Sequence, residues 1–338
     1  MSLSDEVLMA RALRLAEACL QQCVMAPRTA VLVVRDGEVE SEHLGVPNPE
    51  QAWANALAAG VEGATLVSPV APPLGVQDQL MASAPARLVL GQGWRGVGRV
   101  ELATEVLQQS CARLNPAAGL GRPLVRMKLA MSVDGRTALA NGISKWITGE
   151  AARADVQNWR ARSAALVTGV GTVLADDPRL TVRTGSAEVD GVRRQRIVLD
   201  SGFRTPATAT LLQDAQGTVE IWGLESPPAG RPECRAVSPD ADGRVSLAAV
   251  VSDLGDRGCQ EILFECGAEL AGAVLKSGLL DELVVYIAPK FLGHRGRALV
   301  ILPDYAEVAS EPEMVLADSR KVGEDIRLIF RSRDTTYG

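Results

Sequence analysis

Three stretches of this chain carry residue types whose chemistry reaches beyond packing. In the first, TGVGTVLADDPRLTVR, Gly169 and Gly171 stand at the end of an apolar run that reads as a buried strand. Without side chains they let a ligand's phosphates approach the backbone, and amides at the start of a following helix can point at the negative charge. The sixth position of a G-x-G-x-x-G series is Leu174, so the dinucleotide fingerprint is incomplete. A plain strand-to-helix turn accounts for the glycines equally well. In the second stretch, LFECGAELAGAV, Glu265 closes an apolar strand and Gly267 through Gly272 open a small-residue helix. A carboxylate at the carboxyl end of a parallel strand, beside a helix N-terminus, sits where open α/β sheets hold their ligands; a solvated strand-end glutamate is the plainer alternative. The third, KLAMSVDGR with SKWITGEAARADVQNWR, brings Lys128, Asp134, Ser144, Trp146 and Arg160, joined by Asp176 and Arg183 from the first. One by one these are ordinary surface groups and a core tryptophan. Together they suit a pocket that binds an anion and stacks a planar ring.

Elements with the right periodicity are needed to position them. The chain has 338 residues, more than one hydrophobic core usually serves, and two domains are expected. Val7, Leu8, Ala12, Leu15, Ala16 and Cys19 recur at helical spacing, and TAVLVV, Asp36-Gly37 and a second polar run read as a hairpin. A short Ala-rich helix (QAWANALAAGV) and two strands (ATLVSPV, ARLVLG) follow. At LNPAAGLGRP, residues 114–123, helical patterning stops and Pro and Gly accumulate, which marks a linker. Beyond it LVRMKLAMSV reads as a strand, EAARADVQNWRARS as a helix and AALVTGVGTV as a nearly continuous apolar strand, the start of a parallel sheet. QRIVLD, EILFEC and ELVVYIAPKFL continue as strands, with AELAGAVLKSG as a helix between the last two.

Composition removes several functions. A net charge of −6 argues against a nucleic-acid partner, though one phosphate can still find a local basic pocket. No apolar run reaches the ~20 residues of a membrane span and no signal-peptide pattern opens the chain, so a cytoplasmic protein is expected. The six cysteines show no disulfide spacing and are expected as buried thiols, Cys19 and Cys23 included.

KLAMSVDGRTALANGISKWITGEAAR, ARSAALVTGVGTVLADDPRLTVR, RIVLDSGFRTP and ILFECGAELAGAVLKSGLLDELVVYIAPKFLG resemble, in order, the motifs of the reductase domain of the bifunctional riboflavin-biosynthesis deaminase-reductase family. The resemblance covers residues 124–330 and implies a dihydrofolate-reductase-like α/β domain, here 119–338, that uses NADPH to reduce 5-amino-6-(5-phosphoribosylamino)uracil. It implies Lys128, Asp176 and Glu265 as the catalytic group, and Ser144, Arg160, Leu180 and Arg183 as contacts to the phosphoribosylaminopyrimidine substrate. Cofactor contacts are implied at Ala130, Trp146, Thr172, Asp176 and Ser201 and along Gly267, Ala268, Glu269, Leu270, Ala271, Gly272 and Ala273. Arginine's planar fork suits a ribose phosphate, so Arg160 and Arg183 are expected as clamps, and Arg204 with Ser201 as the holder of the NADPH 2′-phosphate. Lys128 and Glu265 are expected to orient the pyrimidine ring.

Residues 1–118 are similar to that family's cytidine-deaminase-like α/β/α domain through DEVLMARALRLAE and RDGEVESEHLG. Zinc deaminases need a His or Cys, two further cysteines and a proton-shuttling Glu, arranged as H-x-E and P-C-x-x-C. Here Gln51 and Trp53 stand in the first motif, and TLVSPVAPPLGVQ, in place of the second, has no cysteine. A metal-free, inactive domain is expected, with Trp53 filling the vacated volume. Two further readings stay open: reduction of the undeaminated diaminopyrimidinone or a related pterin or pyrimidine, and a non-catalytic nucleotide-binding scaffold. The resemblance also implies a homodimer.

Overall fold

The structure, a computed structural model, describes residues 3–46, 48–91, 100–102, 105–304 and 313–333. Two compact units divide between Arg122 and Pro123.

In the first unit the order is α1 (Asp5–Glu17), β1 (Ala30–Arg35), β2 (Glu38–Leu44), α2 (Pro49–Ala59), β3 (Thr65–Ser68), α3 (Leu74–Ala82), β4 (Arg87–Leu90), β5 (Val100–Leu102), α4 (Glu105–Leu114) and α5 (Pro116–Leu120). The sheet runs β2-β1-β3-β4-β5. Strand alternation divides its core in two. Ala30, Leu32 and Val34 of β1 pack on Leu8, Met9 and Ala12 of α1, whereas Val31 and Val33 pack on Trp53 and Ala56 of α2 and Leu80 of α3. The expected α/β/α layering follows. Asp36 and Gly37 both take positive φ, 51° and 79°, the backbone a two-residue hairpin turn requires.

Several elements go beyond expectation, α3 and α5 among them. α3 lies in a segment whose flanking prolines hide its short apolar face. α5 occupies the stretch read as linker: Pro116 sits in its first turn and Gly121 ends it at φ 67°, so a proline start and a glycine stop frame one short helix.

The second unit opens with β6 (Leu124–Ser132), β7 (Arg136–Ala138), α6 (Glu150–Arg162), β8 (Ala165–Gly169), α7 (Val170–Asp176), α8 (Ala187–Asp190), β9 (Gln195–Leu199) and α9 (Thr210–Gln213). It continues with β10 (Thr218–Gly223), β11 (Cys234–Ala236), α10 (Leu247–Asp256), β12 (Glu261–Glu265), α11 (Ala268–Lys276), β13 (Glu282–Ala288), β14 (Arg297–Ala298), β15 (Met314–Val322) and β16 (Asp325–Ser332). Nine strands form one sheet in the order β11-β10-β9-β8-β12-β6-β13-β16-β15, parallel from β11 to β13 and antiparallel at the β16-β15 edge. The chain starts in the middle, moves outward through β8, and returns late to insert β12 between β8 and β6. The carboxyl ends of these three strands therefore lie side by side.

The apolar run AALVTGVGTV, expected as one strand, is a strand only to Gly169; Val170 begins α7, whose Val170 and Val173 turn one face to the core. A run without polar interruption cannot by itself separate a buried strand from a buried helix turn. Near the amino ends of the central strands, buried Arg126 on β6 bonds Glu261 on β12 and Glu282 on β13, each at 2.5 Å. Such a pair is weak evidence for net stability; the register of the strands it joins sets Lys128 opposite Glu265.

Candidate functional site

Lys128 and Glu265 meet because strand period two carries them to the same face as Arg126 and Glu261, beneath α6. From α6, Arg160 reaches Glu265 with two parallel bonds, Nε to Oε1 at 2.5 Å and Nη2 to Oε2 at 2.9 Å, and its Nη1 donates to the Thr181 carbonyl at 3.1 Å. Both side chains of this pair are 13% exposed. Burial pushes the Glu265 carboxyl up, but Arg160 and then Lys128 outweigh it and hold the group below the usual glutamate range. Lys128 moves down: burial and the Arg160 charge outweigh the attraction of Glu265. Its amine stands 5.9 Å from the ring centre of Tyr286, whose hydroxyl donates to Asp155 and accepts from Trp159 Nε1. A lysine less basic than usual and a carboxylate kept ionised form a half-buried pair that can donate to and accept from one planar heterocycle.

The β8 and β12 ends supply the second feature. α7 begins after Gly169 and α11 after Gly267, and no side chain caps either start. First-turn amides at two neighbouring helix starts favour negative charge. A Cβ on Gly171 would meet nothing within 4 Å, so space lies open there, and Gly267 faces Thr172 with its nearest approach at 3.8 Å. Gly272 has a different reason to be glycine: a Cβ there would stand 1.8 Å from the Ile301 carbonyl oxygen.

Not every expected contact sits as the sequence suggested. Within the expected cofactor run, Ala268, Ala271 and Gly272 are buried; Gly267 and Glu269 are exposed, and Leu270 and Ala273 lie between. Leu180 is buried against Leu166 and Leu263, so its side chain packs rather than presents itself, and its φ of 51° turns the backbone into the next residues. That turn is held from α6, where Gln157 accepts the Arg183 amide at 3.0 Å one helical turn from Arg160. Arg183 Nη1 in turn donates to Thr181 Oγ1 at 2.9 Å. The Arg160 fork, expected on a phosphate, is committed to Glu265. Thr181, which no sequence signal marked, joins the two arginines.

Ser144 and Asp176 come together at 3.4 Å, and Lys145 Nζ donates to the Asp176 carbonyl at 3.4 Å. Trp146, read as more often core, is 65% exposed. Ala130 lies on β6 beside Tyr286 of β13. Ser201 and Arg204 follow β9, where buried Asp200 accepts from the Thr205 amide at 2.7 Å and from Arg204 Nε at 3.3 Å, leaving Arg204 62% exposed. Asp134, beyond the pair, accepts the Ser132 hydroxyl and the Leu292 and Gly293 amides and so fastens a loop; the Ser132 hydroxyl first, then those amides, hold its carboxyl down at about 2.

In the first unit, Gln51 is exposed on α2 and Trp53 is fully buried, its Nε1 without a hydrogen-bond partner. Cys19 and Cys23 are buried, and Cys23 Sγ donates to the Gly45 carbonyl at 2.8 Å. Among the described residues no His, Cys, Asp and Glu group has metal-site geometry, and no helix is long and apolar enough to cross a membrane.

Residues 123–328 match the family model described as the RibD C-terminal domain. Riboflavin biosynthesis protein RibD of Escherichia coli (strain K12) is 33% identical over 365 residues, spanning 96% of this chain and 99% of that protein. The 5-amino-6-(5-phosphoribosylamino)uracil reductase of Buchnera aphidicola subsp. Acyrthosiphon pisum is 29% identical over 203 residues, 57% of this chain and 98% of its own length. Among solved structures, Acinetobacter baumannii RibD superposes with a TM-score of 0.82 at 32% identity, covering 97% of this chain and 98% of that one.

Proposed function

The chain belongs to the RibD C-terminal domain family and matches its Escherichia coli relative along nearly that protein's whole length, and from that premise we propose how this reductase works. The substrate is 5-amino-6-(5-phosphoribosylamino)uracil and the reductant NADPH. The observation that carries the reading is the Lys128–Glu265 pair at the carboxyl edge, flanked by the uncapped starts of α7 and α11.

Those two helix starts, with Thr172, Gly267 and Glu269, are the residues that would hold the dinucleotide, and Ser201 and Arg204 its 2′-phosphate. The open space at Gly171 and the absence of side-chain caps fit such a group. When bound, it supplies a hydride. In the substrate, the C1′–O4′ bond of the ribosylamine breaks as the nitrogen lone pair forms a C=N bond and O4′ takes a proton; hydride arriving at C1′ then gives the ribitylamine. Lys128 and Glu265 bond to the edge of the pyrimidine and fix C1′ in near-attack contact, where positioning supplies most of the acceleration. Arg160 keeps Glu265 ionised and oriented, Arg183 and Ser144 take the ribose phosphate, and Asp176 borders the ribose end. Lys128→Met should abolish most turnover or weaken substrate binding at least tenfold; unchanged kcat and KM would remove Lys128 from the site.

The first unit, on this proposal, is a deaminase-like scaffold without zinc or deaminase activity. What supports this is the chemistry of its residues: an amide and a buried indole replace a ligand and a proton shuttle, and the β3–α3 connection offers no thiolate. The exposed Val315 and Leu316 on edge strand β15 are the surface we assign to a homodimer contact, to be tested by sedimentation equilibrium.

A further inference from the structure

Trp146 stands 65% exposed, so burial is not what fixes its ring. Lys290 Nζ donates to its carbonyl at 2.8 Å, while Ser144 and Lys145 tie the preceding residues to Asp176. Among the described residues the ring has one cation–π partner. The Arg153 guanidinium lies over it 4.5 Å from the centroid, and Arg153 is steadied in turn by a 2.8 Å bond from its Nη1 to the Thr148 carbonyl. Among the described residues this guanidinium pairs with no carboxylate. One face of the indole is thus covered by a positive charge, and the residue's 65% exposure leaves much of the rest of the ring to solvent.

A cation over one face draws on the same π quadrupole that would attract a cation to the other. A planar ring stacked on the opposite face would lie about 8 Å from the guanidinium. At that separation two like charges disfavour each other by roughly threefold to tenfold for a site this exposed, whereas an uncharged ring feels no such repulsion. The geometry points to Arg153 as a positioning residue that holds Trp146 as a stacking platform and makes its opposite face prefer an uncharged ring to a cationic one. The inference rests on the cofactor reading above. With the nicotinamide as the ring stacked on Trp146, uncharged when reduced and positive when oxidised, the platform favours the donor that arrives over the product that must leave.

The test is equilibrium binding, without turnover. Titration calorimetry on the full chain gives the dissociation constants of NADPH and NADP+ for the wild type and for Arg153→Met, Arg153→Gln and Arg153→Lys, with circular dichroism to verify folding. Arg153→Gln keeps a donor for Thr148 without the charge, and so stands in if the methionine variant does not fold. Both neutral variants should lower the ratio of the oxidised to the reduced dissociation constant by about threefold to tenfold, and Arg153→Lys should retain most of the wild-type ratio. An unchanged ratio in the neutral variants, even with both affinities reduced, makes Arg153 a prop and overturns this inference alone. Failure of the wild type to bind either dinucleotide overturns the cofactor reading and this one with it.

Discussion

Replacing Arg160 by methionine isolates the claim that this guanidinium serves Glu265. Methionine keeps the apolar length of the stem and removes both bonds to the carboxylate and the third to Thr181. Breaking a buried ion pair by deleting one partner costs about 3–5 kcal/mol when the survivor is left bare. Here the pair is 13% exposed and Lys128 remains beside the carboxylate, which reduces the expected loss to about 2–3 kcal/mol. Urea unfolding followed by far-UV circular dichroism at neutral pH measures it. The pH dependence carries a signature. In the wild type the Glu265 carboxyl is held down, so its contribution is fully present above the ordinary glutamate pKa and is lost as pH falls through its folded value. In the variant burial is no longer outweighed and the group titrates at higher pH. The stability gap between the two proteins should therefore narrow as pH falls. A gap under about 0.5 kcal/mol at neutral pH, the size of an ordinary surface substitution, or a gap that does not change with pH, would refute the assignment.

Other perturbations read other parts of the structure. Gly272→Ala should destabilise the second unit by about 1–3 kcal/mol, because its methyl must displace the Ile301 backbone; calorimetric unfolding measures this, and weaker NADPH binding should accompany it. Trp53→Ala should cost about 3–5 kcal/mol through the cavity left between the β1 and α3 side chains, seen as a lower unfolding midpoint of the first unit. Restoring Gln51→His with Trp53→Glu should still give no stoichiometric zinc by atomic emission, since the β3–α3 connection lacks thiolates; retained zinc would contradict the metal-free reading.

The elements of the site were legible where period and punctuation agreed. Glu265 ended an apolar run just before a small-residue helix, and β12 and α11 lie there. Lys128 could be placed on a strand by alternation, yet its register with Glu265 depends on β12 inserting between β8 and β6, a long-range pairing that no local pattern encodes. The α7 helix reads as strand in the sequence because Val170 and Val173 suit either state at the end of a nearly continuous apolar run. The C-terminal hairpin of β15 and β16 went unread because its exposed apolar residues blur the alternation. For the side chains, residue type indicated an arginine fit for phosphate but could not tell that Glu265 takes the Arg160 fork. Thr181 and Arg153 act through a carbonyl, a hydroxyl and a ring face, contacts that leave no compositional trace.

The central claim, that the second unit reduces the phosphoribosylaminopyrimidine while the first contributes no deamination, is tested most directly by one assay. Purified protein of known zinc content is given NADPH with either the deaminated or the undeaminated compound, and the loss of dihydronicotinamide absorbance is followed. The account predicts turnover of the deaminated compound by protein that carries no zinc. Turnover restricted to the undeaminated compound, or ammonia release from it, would contradict the account.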